Sequence, residues 1–227
     1  MRYLNYFILI IGLFIIGWTA PGWTQTSKDI AIILKSKGEV KLRKEKSKDW
    51  RDGRVGTRLD SGDMLKTAEN SLAAVMFTDD KSLIKVRDNS SLAIRGKRIE
   101  QSISKRIICT LGEFWVKATN QQSKLLVETP SGVAAVKGTE FYGIVDAEGN
   151  TQIIVVEGIV QLLNKLGEIL IQAGQTGKLT KNGAPVAFNT DPNSVLNWAK
   201  ENRDGNELLF EFQDSNGNKK HLKLIYH

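Results

Sequence analysis

Residues 129–145 read TPSGVAAVKGTEFYGIV, which sets lysine, glycine and threonine side by side behind a glycine at 132. Those are the residue types of a phosphate-binding loop. Such a loop needs G-x-x-x-x-G-K-[ST], so that backbone N–H groups freed by glycine point at the phosphates and the lysine follows the second glycine. Here Lys137 precedes Gly138, and the continuation FYGIVDAEGNTQIIVVEG reads strand, turn, strand with no long helix. The nucleotide reading fails on order and on context, and a β corner remains. Pro130 cannot donate to a ladder and suits a strand start. Gly132, Gly138 and Gly143, with Ala134 and Ala135 between them, let another strand approach closely. Thr139 can bond a local backbone group at a turn, and Phe141 can plug a core. Lys137 is the one member with no core role.

Working outward, the text from Asp29 to about Ala187 is strand after short strand, rich in valine, isoleucine and leucine and punctuated by glycine. Alternation is clear in GEVKLRK (38–44), SLAAVMFTDD (71–80), SLIKVR (82–87), SLAIRG (91–96) and GEILIQAG (167–174). No helical-period stretch interrupts them, so a parallel sheet with helical crossovers is not expected. A weak repeat puts a glycine just before alternating apolar positions, at Gly38, Gly112, Gly158 and Gly167. Its spacing is too irregular for a solenoid of fixed period. The expected fold is mainly β: an irregular β-solenoid-like or sandwich domain of many short strands over 29–187.

The two ends differ from this. Arg2 is the only charge before Lys28, and Phe7 to Trp18 is almost wholly apolar. That is the layout of a secretory signal peptide over 1–25. Retention as an uncleaved anchor is the other reading, against which the run falls short of the ~20 residues needed to span a bilayer. After Asp191 the composition changes. DPNSVLNWAKENRDG offers Asp191 as N-cap, Pro192 at the first helical position and Gly205 as stop, which predicts one short helix. ELLFEFQ and HLKLIYH flank DSNGNKK, whose Asn216-Gly217 pair predicts a hairpin. Residues 188–227 therefore form an appendage of helix plus hairpin.

The 227 residues are 41% hydrophobic and 25% charged, with a net charge of +7 and a denser basic patch from Lys41 to Arg58. On an exported protein that patch suits anionic envelope polymers or lipid headgroups better than nucleic acid, and a solvated face suits it better still. The single cysteine, Cys109, lies in the apolar run IICTL and reads as a buried free thiol. No internal disulfide can form, so stability rests on the core.

The ordered motifs resemble the FecR domain family. The central signature is Thr129-Pro130 followed by Ala134-x-Val136-Lys137-Gly138-Thr139-x-Phe141, and the flanking pieces match in order. Gly38-Glu39-Val40 opens the domain. Gly56, Leu59-Asp60-Ser61-Gly62-Asp63 and Thr67 follow, then Ser71-Leu72-Ala73 with Phe77 and Asp79-Asp80. Leu111-Gly112-Glu113, Val156 to Val160 and Ala173-Gly174-Gln175 complete it. One departure is Asp80 and Lys81 where the family usually has a glycine. The resemblance implies an extracytoplasmic all-β domain of the kind found in regulators that relay signals across the envelope. In those regulators a cytoplasmic anti-sigma segment and a transmembrane helix precede the domain. Here only Met1 to about Tyr6 precede the apolar run, so the expectation is a stand-alone, periplasmic or secreted protein, and sigma-factor control is not carried over.

Candidate sites are few. Both histidines, His221 and His227, lie in the tail, which excludes a Ser-His-Asp triad or a histidine-rich metal centre in the β domain. Asp79-Asp80 reads as a solvated turn pair. Asp60, Asp63, Asp79 and Asp80 lack the D-x-[DN]-x-[DN]-G spacing of a calcium loop. Trp50 and Trp115 are candidate glycan-stacking residues, although strand tryptophans are more often core or half-core residues. The signature residues Thr129, Pro130, Lys137, Gly138, Thr139 and Phe141 are candidate binding residues, with a tight corner as the reading their types favour. The expected function is a non-catalytic envelope binding or scaffold module with no cofactor and no metal. It would engage a protein partner, and a glycan- or peptidoglycan-binding role is the alternative. Neither nucleic acid nor, beyond the N-terminal segment, membrane is an expected partner.

Overall fold

Alternating apolar residues and frequent tight turns give a chain made almost entirely of strands. The computed structural model describes residues 29–119, 124–190, 198–199, 207–213 and 219–225. In chain order the strands are β1 (Ala31–Lys37), β2 (Val40–Arg43), β3 (Arg51–Asp52), β4 (Arg58–Leu59), β5 (Asp63–Thr67), β6 (Leu72–Phe77), β7 (Leu83–Val86), β8 (Ser91–Ile99) and β9 (Ser102–Lys117). They continue with β10 (Leu125–Thr129), β11 (Gly132–Val136), β12 (Glu140–Val145), β13 (Thr151–Glu157), β14 (Ile159–Asn164), β15 (Gly167–Gln172), β16 (Gln175–Thr180) and β17 (Gly183–Asn189). The tail adds β18 (Glu207–Gln213) and β19 (Lys219–Ile225), paired antiparallel to each other.

The 17 strands of the domain form one continuous hydrogen-bonded system that folds into two facing sheets, and it does not close into a barrel. The first sheet runs β4-β1-β6-β7-β9-β12-β13-β16-β17. The second runs β3-β2-β5-β8-β9-β10-β11-β14-β15. From β6 onward the chain lays hairpins by turns into one sheet and the other: β6-β7, β12-β13 and β16-β17 into the first, β8-β9, β10-β11 and β14-β15 into the second. All pairings are antiparallel except β9 with β10, which is parallel.

Only β9 belongs to both sheets, and its sequence explains how. Along its first half Ile103, Lys105, Ile107 and Cys109 are the buried positions facing the core, and along its second half the core-facing ones are Phe114 and Val116, with Trp115 buried on the opposite face. The parity of the buried side chains therefore switches at Leu111-Gly112. Gly112 has φ +108, and a Cβ there would lie 2.0 Å from Ser90 Oγ. Only glycine takes that conformation and that close approach cheaply. The core between the sheets is one apolar cluster drawn from both, including Phe77, Phe114, Phe141, Leu65, Ile94, Val127 and Ile153. Phe114 and Phe141 meet edge to face at 6.3 Å.

The sequence expectations divide cleanly. The mainly β fold of many short strands is present. The short helix expected over 191–205 is not supported: no helix occurs among the described residues, and Trp198 and Ala199 lie in a turn. The local start signals at Asp191 and Pro192 did not decide these two positions, which are fixed by packing against the first sheet. The rest of that span, the signal segment 1–25 and the Asn216-Gly217 turn lie outside the described residues. No helix among the described residues is long and apolar enough to cross a membrane.

At the family's usual glycine position Lys81 adopts φ +61, the glycine-like conformation. A lysine there carries a penalty of about 1 kcal/mol, so Lys81→Gly should raise stability by up to about 1 kcal/mol in denaturant unfolding. Phe141→Ala should lower it by about 3–5 kcal/mol. Burial pushes the Cys109 thiol up to about 12. The native protein should resist alkylation at mildly alkaline pH and react only as it unfolds, a behaviour that mass spectrometry of the labelled protein checks.

Candidate functional site

The signature residues build a corner. Thr129 ends β10, and its hydroxyl accepts a hydrogen bond from Thr151 at 2.8 Å, while the Ser131 hydroxyl donates to Thr151 at 2.8 Å. Pro130 lies in the turn to β11. Lys137, Gly138 and Thr139 carry the chain from the second sheet to the first, where the Thr139 carbonyl accepts from Ala118 N–H at 2.9 Å. The opposite crossover fits into this one. Gly158 has φ +85, and a Cβ there would meet the Gly138 carbonyl oxygen and Thr139 Cγ2, each at 2.8 Å. Phe141 is fully buried in the core. Every signature position thus has a backbone or packing role except Lys137, which is exposed. A Lys137→Glu variant should fold with stability within about 0.5 kcal/mol of the parent, measured by thermal melting.

A different feature stands out on the outer face of the first sheet. Register places Lys35 opposite Ala74, Ala74 opposite Lys85, and Lys85 opposite Trp115. The row continues from Trp115 to Tyr142, Ile154, Thr176 and Phe188. Side chains of one cross-strand row share a face, and this face points away from the core. Its middle is nevertheless buried: Trp115 is 6% exposed, Tyr142 0% and Ile154 1%.

The cover includes Trp198 and Ala199, which come from the segment beyond β17. The Trp198 ring meets Tyr142 edge to face at 5.8 Å. Lys85 Nζ donates to the Ala199 carbonyl at 2.8 Å and lies 5.3 Å from the centre of the Trp115 ring. Arg87 stacks over Trp198 at 6.0 Å. Beside Trp198, a cleft lined by Lys35, Lys37, Arg87 and Asp88 opens toward β1. The row ends at Phe188 on edge strand β17, where Phe188 and Val186 are exposed. The docked indole carries an unfavourable term, because among the described residues its buried N–H has no acceptor. An unmade hydrogen bond of that kind costs about 1–3 kcal/mol.

The remaining sequence candidates lie apart from this row or inside it. Trp50 is half-buried on the second sheet's outer face under two cations, Arg43 at 5.2 Å and Lys66 at 4.8 Å from its ring centre. Trp115 lies in the covered row, and its indole donates to Glu140 at 3.3 Å. The structure does not bring the two tryptophans together. Asp60 and Asp63 share one cation of their own, since Lys44 Nζ lies 2.8 and 2.6 Å from them. Burial opposes the charge on Lys44, but its bonds to Asp60 and Asp63 outweigh burial and raise its pKa. Much of the basic patch is similarly neutralised, with Lys41 on Asp52 and Arg58 on Asp29.

Asp79 and Asp80 correct the sequence reading. They are in a turn, but they are buried against Lys105 rather than solvated. Burial raises the Asp80 pKa, yet hydrogen bonds from Lys105 and Ser82 outweigh it and hold the carboxyl below the ordinary 3.8. Among the described residues no group of three or more metal-ligating side chains assembles.

Comparison with known proteins agrees with the fold. Residues 63–161 match the family model described as FecR protein. Two crystal structures of a candidate anti-sigma factor from Parabacteroides distasonis share its architecture. The 1.65 Å structure has a TM-score of 0.51 at 14% identity over 68% of this chain and 70% of the other. The 2.50 Å structure has a TM-score of 0.53 at 14% identity, covering 66% and 68%. No curated protein matches the sequence.

Sequence reasoning missed Tyr142, Trp198 and Lys105. One signal was present: in FYGIV, adjacent Phe141 and Tyr142 must face opposite sides of a strand, so a sheet that buries both is covered on its outer side too. Replacing Trp198 with alanine should uncover Tyr142, raise binding of a hydrophobic dye and lower stability by about 1–3 kcal/mol.

Proposed function

We propose that this protein is a non-catalytic module of the cell envelope that binds a protein partner and relays an envelope signal through the outer face of the first sheet. The observation that carries this reading is the apolar row Trp115-Tyr142-Ile154, which is held under Trp198 and exposed at its Phe188 end. A buried aromatic row with one open end at a sheet edge is a surface suited to docking an added segment. The FecR match and the likeness to a candidate anti-sigma factor support a signalling role over a catalytic one. An envelope location is supported by the same family match and by the N-terminal apolar run.

The chemistry of the occupant can be specified. Lys35, Lys37, Lys85 and Arg87 border the row, and the resident segment around Trp198 carries Asp191, Glu201 and Asp204 alongside Lys200 and Arg203. A partner segment that pairs an aromatic anchor with nearby carboxylates would reproduce both features and displace the chain's own tail. Displacement would begin at Phe188 and β17, where strand addition extends the sheet.

The test is in-cell photo-crosslinking of the exported protein, with the crosslinking residue at position 188 and, as control, at exposed Val55. The reading expects a discrete protein adduct from position 188, enhanced by Trp198→Ala and absent from position 55. Adducts with cell-wall polymer alone would overturn it and favour the glycan alternative, and equal adducts from both positions would remove the assignment of the face.

A further inference from the structure

The turn between β6 and β7 sends two carboxylates into the core, where β9 supplies one ammonium. The side chains of Lys105, Asp79 and Asp80 are 1%, 2% and 3% exposed. Lys105 Nζ lies 2.7 Å from Asp79 Oδ2 and 2.8 Å from Asp80 Oδ2, and it donates to the Ile103 carbonyl at 3.3 Å. The Ile103 N–H donates to the same Asp79 Oδ2 at 2.7 Å, and the Ser82 N–H donates to Asp80 Oδ1 at 2.9 Å. The Phe77 ring closes one side, its centre 5.5 Å from Nζ. Among the described residues, buried Asp79 Oδ1 has no hydrogen-bond partner.

A surface turn does not need this arrangement. One buried ammonium cannot neutralise two buried carboxylates, and taking ions out of water is expensive unless each is fully compensated. Lys105 Nζ is in hydrogen-bond contact with Asp79 Oδ2, so the Cγ it would attack is the next atom beyond the contacted oxygen, and holding the two groups side by side removes most of the entropy cost of bringing them together. A second carboxylate touches the same nitrogen and can carry protons. The unpartnered Asp79 oxygen is the one free to leave.

We propose that Lys105 and Asp79 condense into an intramolecular amide, with Asp80 as the proton shuttle. Asp80 first takes a proton from the Lys105 ammonium and passes it to the Asp79 carboxylate. The neutral amine then attacks Cγ of Asp79, forming the Nζ–Cγ bond. A second amine proton travels through Asp80 to Oδ1, the Cγ–Oδ1 bond breaks and one water leaves. No oxidant, reductant or cofactor enters, and Asp80 ends as it began. The product ties β9 of the second sheet to the β6–β7 turn of the first, across a sequence separation of 26 residues. It gives a domain whose only cysteine is free a covalent staple between its layers.

Intact-mass and peptide-mapping measurements on the purified full chain decide the matter. The expected wild-type protein is one water lighter than its sequence, and digestion yields a branched peptide that joins Asp79 to Lys105. Asp80→Asn should show the full mass, remain folded by circular dichroism and melt at a lower temperature. A wild-type protein of full mass overturns the proposal. So does a missing water carried on a linear peptide, as a succinimide at Asp52-Gly53 would give. A branched peptide that forms undiminished in Asp80→Asn overturns the role given to Asp80.

Discussion

A single strand cannot lie in two facing sheets unless its side chains change sides partway along, and β9 meets that constraint at Gly112. Up to Cys109 its alternate residues face the core as part of the second sheet, and from Phe114 they do so as part of the first. The switch joins the two layers, because β8 and β10 on one side and β7 and β12 on the other take their register from β9. It also places Lys105 opposite the β6–β7 turn and Trp115 at the centre of the outer row. Both features that distinguish this domain from a plain sandwich therefore depend on one bend.

The signature TP…VKGTxF and the covered row divide the work of the domain. The corner from Lys137 to Thr139 fits against Gly158 and keeps successive layers in step, a role for backbone geometry and small residues. The row Trp115-Tyr142-Ile154 does nothing for the core, since it faces the other way. The chain's own tail contributes to its cover, with Lys85 bonded to the Ala199 carbonyl and Trp198 set on Tyr142, and Leu83, Ile144 and Val156 of the same sheet pack beside it. An apolar face of this kind, were it uncovered, would be a surface suited to a protein partner.

Much of the β fold was legible because period-two alternation and glycine punctuation are local properties. Cys109 was legible as a buried thiol for the same reason. What escaped was non-local. Asp79-Asp80 has the composition of a solvated turn, and only the register of β9 reveals that an inward lysine awaits it. Trp198 sits among good helix-start signals, but its position is decided by a sheet face assembled from β7, β9 and β12. Trp115 reads in sequence as a core residue first and a sugar platform second, and its cover comes from Trp198 and Ala199, a segment held to the neighbouring Lys85 across a separation of 114 residues.

The central claim is that a row on the outside of the first sheet is sealed by the chain's own C-terminal segment and can be opened. Oxidative footprinting of the intact protein tests this most directly, by comparing the reactivity of Tyr142 before and after Trp198 is replaced by alanine. The account predicts a Tyr142 protected like core Phe141 in the parent and exposed in the variant. A Tyr142 that is reactive in the parent protein, or equally protected in both, would contradict it.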